Sequence, residues 1–131
     1  MVGIGHRPPL AGPARGDIHL VAFPERDGAV IAGPHPAVIV SSDRLNRASG
    51  TVLVCPMTSK IRHDPKAFLP PYLVSASGRQ TGLALDGYVK ADQIHTIPFS
   101  ALGARMGHAN VEVIAALDDA LRFVLSLPDA R

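Results

Sequence analysis

An internal disulfide is excluded at once, because the 131 residues contain a single cysteine, Cys55, with no partner in the chain. Cys55 sits beside Leu53 and Val54 in a valine-rich run. It therefore reads as a small buried hydrophobe rather than a nucleophile, and it suits a reducing cytoplasm. Tryptophan is absent, and two Tyr and four Phe are the only other aromatics, so platforms for stacking nucleobases are few. Phe23, Phe68, Tyr72 and Tyr88 are the candidates, and their expected place is the core. No apolar run reaches the roughly 18–20 residues that span a bilayer. The first fifteen residues carry Gly3, Gly5, Pro8, Pro9, Gly12 and Pro13 and have no continuous apolar stretch of the kind an export signal needs. Residues 1–15 are expected to be a flexible tail, residues 16–127 a single domain, and residues 128–131 a short second tail.

A large charge excess is also missing. Thirteen Lys and Arg face eleven Asp and Glu, a net of +2, which by itself says little about a nucleic-acid partner. The distribution says more. Arg44, Arg47, Lys60, Arg62, His63 and Lys66 fall mid-chain beside Asp43 and Asp64, while Glu112, Asp118 and Asp119 fall near the end. A basic centre can track a phosphate backbone, and it can equally be a solvated rim of loops.

The absences extend to motifs. The six histidines show no zinc-ligand spacing, no acid-rich calcium loop is present, no glycine-rich phosphate loop opens a helix, and no serine sits in an esterase elbow. What is left is chemistry that needs protons and fixed charge, without metal or cofactor.

What is present is a small β-rich pattern. Residues 17–23 alternate as a strand closed by Pro24, Asp27 and Gly28. Ala37-Val38-Ile39-Val40 and Thr51-Val52-Leu53-Val54-Cys55 are too short for helices and apolar enough to be strands buried on both faces. Between them, residues 42–48 predict one helical turn capped by Ser42 or Asp43 and released by Gly50. Residues 69–76 predict one more strand and residues 83–97 two more, with Gly87 at a bulge or close contact. Asn110 caps a terminal helix with Val113, Ile114, Leu117, Leu121, Val124 and Leu125 on one face, and Pro128 stops it. The class is mainly β with α: a partly open β-barrel with a C-terminal amphipathic helix.

Three stretches at predicted strand ends carry polar groups: Gly33-Pro34-His35-Pro36, Pro56-Met57-Thr58-Ser59-Lys60, and Tyr88 to Thr96. Each alone has an ordinary explanation as an exposed loop, a capped turn or a hydrogen-bonded tie between strands. In their joint order, GDIHLVAFP at 16–24, PAVIVSSDRLNR at 36–47, VLVCPMTSKI at 52–61 and YVKADQIHTI at 88–97 resemble the MazF/PemK toxins over about residues 16–127. The family pattern is Gly-Asp and a strand, Arg-Pro before a valine-rich strand, Pro-x-Thr-Ser, then Asp-Gln and Arg-Thr. The order and spacing, not any single motif, carry the resemblance.

The resemblance implies an SH3-like barrel and a homodimer. It implies metal-independent cleavage of single-stranded RNA at short sequences, by attack of a ribose 2′-hydroxyl on the adjacent phosphate. It also implies neutralisation by a cognate antitoxin whose disordered tail folds across the RNA groove. Thr58 stands at the family's catalytic threonine. Ser59, Lys60 and the nearby backbone amides are placed to share the phosphate, and Lys90 and Asp92 match groove-lining positions. Gly16 and Asp17 match the opening strand, where a structural role is expected.

Two departures stand out. His35 occupies the position of the family's catalytic Arg, and His95 that of the Arg after Asp-Gln-Ile. Each exchanges a permanent forked cation for a group that titrates near neutrality. One reading makes His35, with His95, a proton carrier acting beside Thr58. The other makes the chain a weakened toxin that binds antitoxin or RNA without cleaving. A third has Arg26 replacing the missing charge. A gyrase poison of the CcdB type is a further rival, because that family shares the fold.

Overall fold

The computed structural model describes residues 12–24, 30–60 and 68–129. Strand β1 (Asp17–Phe23) is followed by β2 (Gly33–Ile39), helix α1 (Asp43–Ser49), β3 (Thr51–Thr58), β4 (Leu73–Ala76), α2 (Gly78–Thr81), β5 (Gly87–Lys90) and β6 (His95–Pro98). A 3-10 turn (Phe99–Ala101), β7 (Arg105–His108) and α3 (Val111–Leu125) complete the chain. All strand pairings are antiparallel, in the order β4-β5-β3-β2-β1-β7, with β6 also paired to β3.

Strand β3 is the hinge of this arrangement. Its first half, Thr51 to Val54, pairs with β6, and its last two residues, Met57 and Thr58, pair with β5. Two partners on one edge make the sheet part and curl into a half-barrel. The curl explains why β2 and β3 are apolar on both faces. Val38, Cys55 and Met57 face one core with Val113, Leu117 and Ala120 of α3. Ala37, Ile39, Val52 and Val54 face a second core with Val21 and Phe23. Burying a side chain such as Leu117 contributes about 1.5–3 kcal/mol.

Capping follows local chemistry. Ser42 accepts the amide of Leu45 at the start of α1, and Gly50, in the left-handed region, ends it. Asn110 accepts the amide of Val113 to start α3. That helix stops earlier than Pro128 suggests: it ends at Leu125, with Ser126 left-handed and its amide turned back to Arg122 and Phe123. Leu125, expected on the buried stripe, is half exposed, and Ala120 takes the buried place. The buried face runs Val113, Leu117 and Ala120 at spacings of four and three, and Leu125 falls off that face.

Some elements have no counterpart in the expected pattern. Strand β7, RMGH, has no alternation of apolar residues. It is held by its ladder to β1 and by Asp17, which is buried and receives His108 Nδ1 at 2.9 Å, Arg105 Nε at 3.3 Å and the Ala14 amide at 3.0 Å. Helix α2 rests on a capping box between Ser77 and Gln80. Arg15, assigned by sequence to the tail, is anchored. Its side chain donates to the Val40 carbonyl at 2.9 Å and to Asp118 at 2.7 Å, and its amide to Asp43. The expectation for residues 1–11 lies outside the described residues.

Candidate active site

The site grows from the end of the β2–β3 ladder. Ala37 is registered opposite Pro56, and two residues further along each strand come His35 and Thr58. The ladder ends here because Pro34 and Pro36 have no N–H to donate. Continuing the register puts Pro36 across from Met57, whose carbonyl takes a side-chain donor instead: His35 Nδ1 lies 3.1 Å from it. The other ring nitrogen, Nε2, lies 3.1 Å from the Ala32 carbonyl. A neutral imidazole carries one N–H and can donate to one of these carbonyls, whereas the protonated ring donates to both. The half-buried ring thus sits between two backbone acceptors, in the place where the family pattern has an arginine.

Thr58 closes β3 in a tight turn of its own. Its hydroxyl donates to the Lys60 carbonyl and accepts from the Lys60 amide, both at 3.1 Å. This turn presents the hydroxyl, Ser59 and the base of Lys60 together at the surface. His35, Thr58, Ser59 and Lys60 all line one cleft of about 380 Å³, with Pro36, Met57, Leu83, Leu85, Asp86 and Met106 among the other walls. Pockets that hold small ligands span about 300–1,000 Å³.

Four of the residues singled out by sequence thus meet in one place. Lys90, Asp92 and His95 do not line this cleft. Lys90 pairs with Leu73 in the β4–β5 ladder. His95 faces Val54 on β3, and its ring lies 4.8 Å from that of Phe23. Val54 is four residues from Thr58 along the strand, about 13 Å at the usual strand rise. Asp92 lies in the turn after β5, near enough to bear on Cys55. Burial first, and the Asp92 charge second, push that thiol up to about 12. Arg26 lies outside the described residues. Among the described residues, no three His, Cys, Asp or Glu are grouped to hold a metal ion.

Sequence reasoning missed the far wall. Leu83, Leu85 and Asp86 fall where a strand was expected, but β5 begins only at Gly87, and Met106 comes from β7, which has no apolar alternation. The available signal was the run GLALDG at 82–87, where two leucines sit between turn-forming residues with no helix or strand period to bury both.

The arrangement offers a hydroxyl, backbone amides, a lysine and a protonatable imidazole around one opening, which suits phosphoryl chemistry without a cofactor. The chain is 34% identical over 118 residues to endoribonuclease MazF9 of Mycobacterium tuberculosis, covering 86% of this chain and 96% of that protein. It is 30% identical over 115 residues to endoribonuclease EndoA of Bacillus subtilis, covering 88% and 96%. Among solved structures, an endoribonuclease from a mycobacterial species in complex with its cognate antitoxin superposes with a TM-score of 0.70 at 27% identity, covering 91% of this chain and all of that one. MazF from Deinococcus radiodurans shares the fold at a TM-score of 0.70 and 24% identity, covering 88% of this chain and 97% of that one. The model of the family described as PemK-like, MazF-like toxin of type II toxin-antitoxin system matches residues 14–125. With Pro-x-Thr-Ser at the mouth of the cleft and the family match running from the Arg15 anchor to the end of α3, the chain belongs to the PemK/MazF toxin family.

Proposed function

We propose that this chain is a toxin of a type II toxin–antitoxin pair that cleaves single-stranded RNA in the His35–Thr58 cleft, with no metal in the reaction. The observation that carries this reading is the convergence of His35, Thr58, Ser59 and Lys60 on one opening. The ribose 2′-hydroxyl gives its proton to solvent water at the open cleft and attacks the adjacent phosphorus, and the P–O5′ bond breaks as the 5′-oxygen takes a proton from His35. The products are a 2′,3′-cyclic phosphate, or its opened form, and a 5′-hydroxyl end. Thr58 turns its hydroxyl from the Lys60 carbonyl to a phosphate oxygen. The amide of Ser59 and the ammonium of Lys60 hold the developing charge, which preorganised donors do at little reorganisation cost. His35, held between the Met57 and Ala32 carbonyls, acts as the proton donor. By releasing one of those carbonyls, it gives a proton to the leaving oxygen.

The working unit is a homodimer, supported by the exposed apolar side chains of Val111, Phe123 and Leu125 on α3. A cognate antitoxin neutralises it by covering the RNA groove; the mycobacterial endoribonuclease that superposes on this chain is itself in complex with its cognate antitoxin. The place of action is the cytoplasm; among the described residues no helix is long and apolar enough to cross a membrane. Lys90 and Asp92 serve RNA beyond the cleft, His95 supports the site through its packing on Phe23, and Arg26 is assigned a supporting part. The test is incubation of purified protein with a long mixed-sequence RNA in excess EDTA. Discrete fragments with 5′-hydroxyl ends, absent with Thr58→Ala, support the reading. Intact RNA beside retained antitoxin binding supports the rival in which the chain is a binding module.

A further inference from the structure

The cleft has a wall that the cleavage chemistry does not use. Leu85 is 67% exposed and Met106 is 41% exposed, yet both line the same opening as Thr58, together with Leu83 and Asp86. Large apolar side chains held open in a concave wall mark a binding surface rather than core. Two glycines bring this wall close. A Cβ on Gly87 would lie 2.9 Å from the Thr58 carbonyl, so only glycine lets β5 cross there, and Asp86 is the residue just before it. Gly107 lies so tightly against the Thr81 carbonyl that a side chain cannot be added, and it carries Met106 to the cleft beside Leu83. The Asp86 carboxylate is oriented by the Gly78 amide, which donates to Oδ1 at 2.8 Å.

We infer that Leu83, Leu85, Met106 and Asp86 form a base-recognition pocket that takes guanine, placed next to the scissile phosphate. The inference rests on the RNA-cleaving reading of the same cleft and adds its specificity. Asp86 is the one carboxylate among the residues lining the cleft, and an ionised carboxylate only accepts hydrogen bonds. Guanine presents two adjacent donors, N1–H and the N2 amine, which match the two oxygens of a carboxylate side by side. Adenine and cytosine present one amine next to a ring nitrogen whose lone pair would face the second oxygen. Uracil presents one N–H between two carbonyls, and both repel a carboxylate. The leucines and Met106 supply an apolar face for the ring, in a chain short of aromatics.

The probes are the four 2′-deoxynucleoside 3′,5′-bisphosphates, which carry a phosphate on each side of the sugar and have no 2′-hydroxyl to react. Calorimetry with the full-length protein is expected to show the guanine compound binding about tenfold or more tighter than the other three, the range for one good bidentate base contact. Asp86→Asn keeps an acceptor for the Gly78 amide and so keeps the fold, which a thermal melt checks; it is expected to abolish the guanine preference. Leu85→Ala with Met106→Ala is expected to weaken all four. The absence of a guanine preference, whether the four bind equally or none binds at millimolar concentration, overturns the inference, as does a preference that survives Asp86→Asn. Mapping 5′-hydroxyl ends on mixed RNA separates the two proposals. Cleavage without guanine bias removes the pocket and leaves the nuclease; a guanine preference in binding without cleavage removes the nuclease and leaves the pocket.

Discussion

The imidazole of His35 on β2 reaches across to the backbone carbonyl of Met57 on β3, 3.1 Å away, and so stands one residue from Thr58. The contact replaces a backbone hydrogen bond that Pro36 cannot donate. A second carbonyl, that of Ala32, holds the other ring nitrogen. The family's usual arginine brings charge that is never lost. A histidine clamped between two carbonyls brings charge that depends on pH, and a proton it can give away.

The first prediction follows from that difference. His35→Gln keeps one donor and loses the proton, and the cleavage rate is expected to fall by about 10²–10³, the usual cost of one transition-state contact. His35→Arg keeps the charge and loses easy proton transfer, so its single-turnover rate is expected not to exceed wild type. A clear rise would identify the chain as a weakened toxin with His35 as its lesion.

Thr58 is expected to act through its hydroxyl. Thr58→Ala should lower kcat by about 10²-fold or more, with thermal stability changed by no more than about 1 kcal/mol, because the hydroxyl bonds only within an exposed turn. Thr58→Ser retains the hydroxyl and should recover most of the rate. Equal losses in both variants, measured by single-turnover cleavage, would show that the methyl packing matters and the hydroxyl does not.

Much of this architecture is legible in the sequence, for physical reasons that also mark where it stops. The two valine-rich runs announce strands buried on both faces, and the curl of the sheet around β3 is why both faces are covered. Asn110 and the stripe from Val113 to Val124 announce α3. Strand β7 was invisible because its place comes from a partner, Asp17, far away in the chain, and not from its own pattern. The same holds for the site. The Pro-rich stretch and Pro-x-Thr-Ser mark His35 and Thr58, since the chemistry lies in local motifs. The apolar wall does not show, because Leu83, Leu85 and Met106 are brought together only by the close approaches at Gly87 and Gly107. Lys90 is two residues along β5 from Tyr88, the partner of Thr58, while Asp92 lies in the turn beyond and His95 in β6, and none of the three lines the cleft.

Cys55 is expected to be inert in the folded protein. With burial and then Asp92 pushing its thiol up to about 12, the thiolate is scarce at any pH used in assays, and thiol reagents at pH 8 should label it only after unfolding. The sign for stability is also set. The unfolded thiol ionises above about pH 9 while the folded one stays protonated, so this group lowers stability as pH rises past 9 and leaves it unchanged below. Rapid labelling under native conditions would contradict the placement of β3 in the core.

Asp17 is expected to clamp the fold and to have no part in the chemistry. Asp17→Ala removes the acceptor for the Ala14 amide and the tie to His108 and Arg105. Both of those side chains are about half exposed and can rehydrate. The loss should therefore be about 1–3 kcal/mol, less than that of a fully buried pair. Denaturant unfolding measures it, and at a temperature where the variant is folded its cleavage rate should match wild type.

The most direct test of a histidine-using RNase is the single-turnover cleavage rate of wild type in excess EDTA from pH 5 to 9, beside His35→Arg. Discrete 5′-hydroxyl fragments are expected, with a wild-type rate that changes by about tenfold or more between pH 5 and 8 and loses that dependence in the arginine variant. A wild-type rate that is flat between pH 5 and 8, or cleavage that EDTA abolishes, would contradict it.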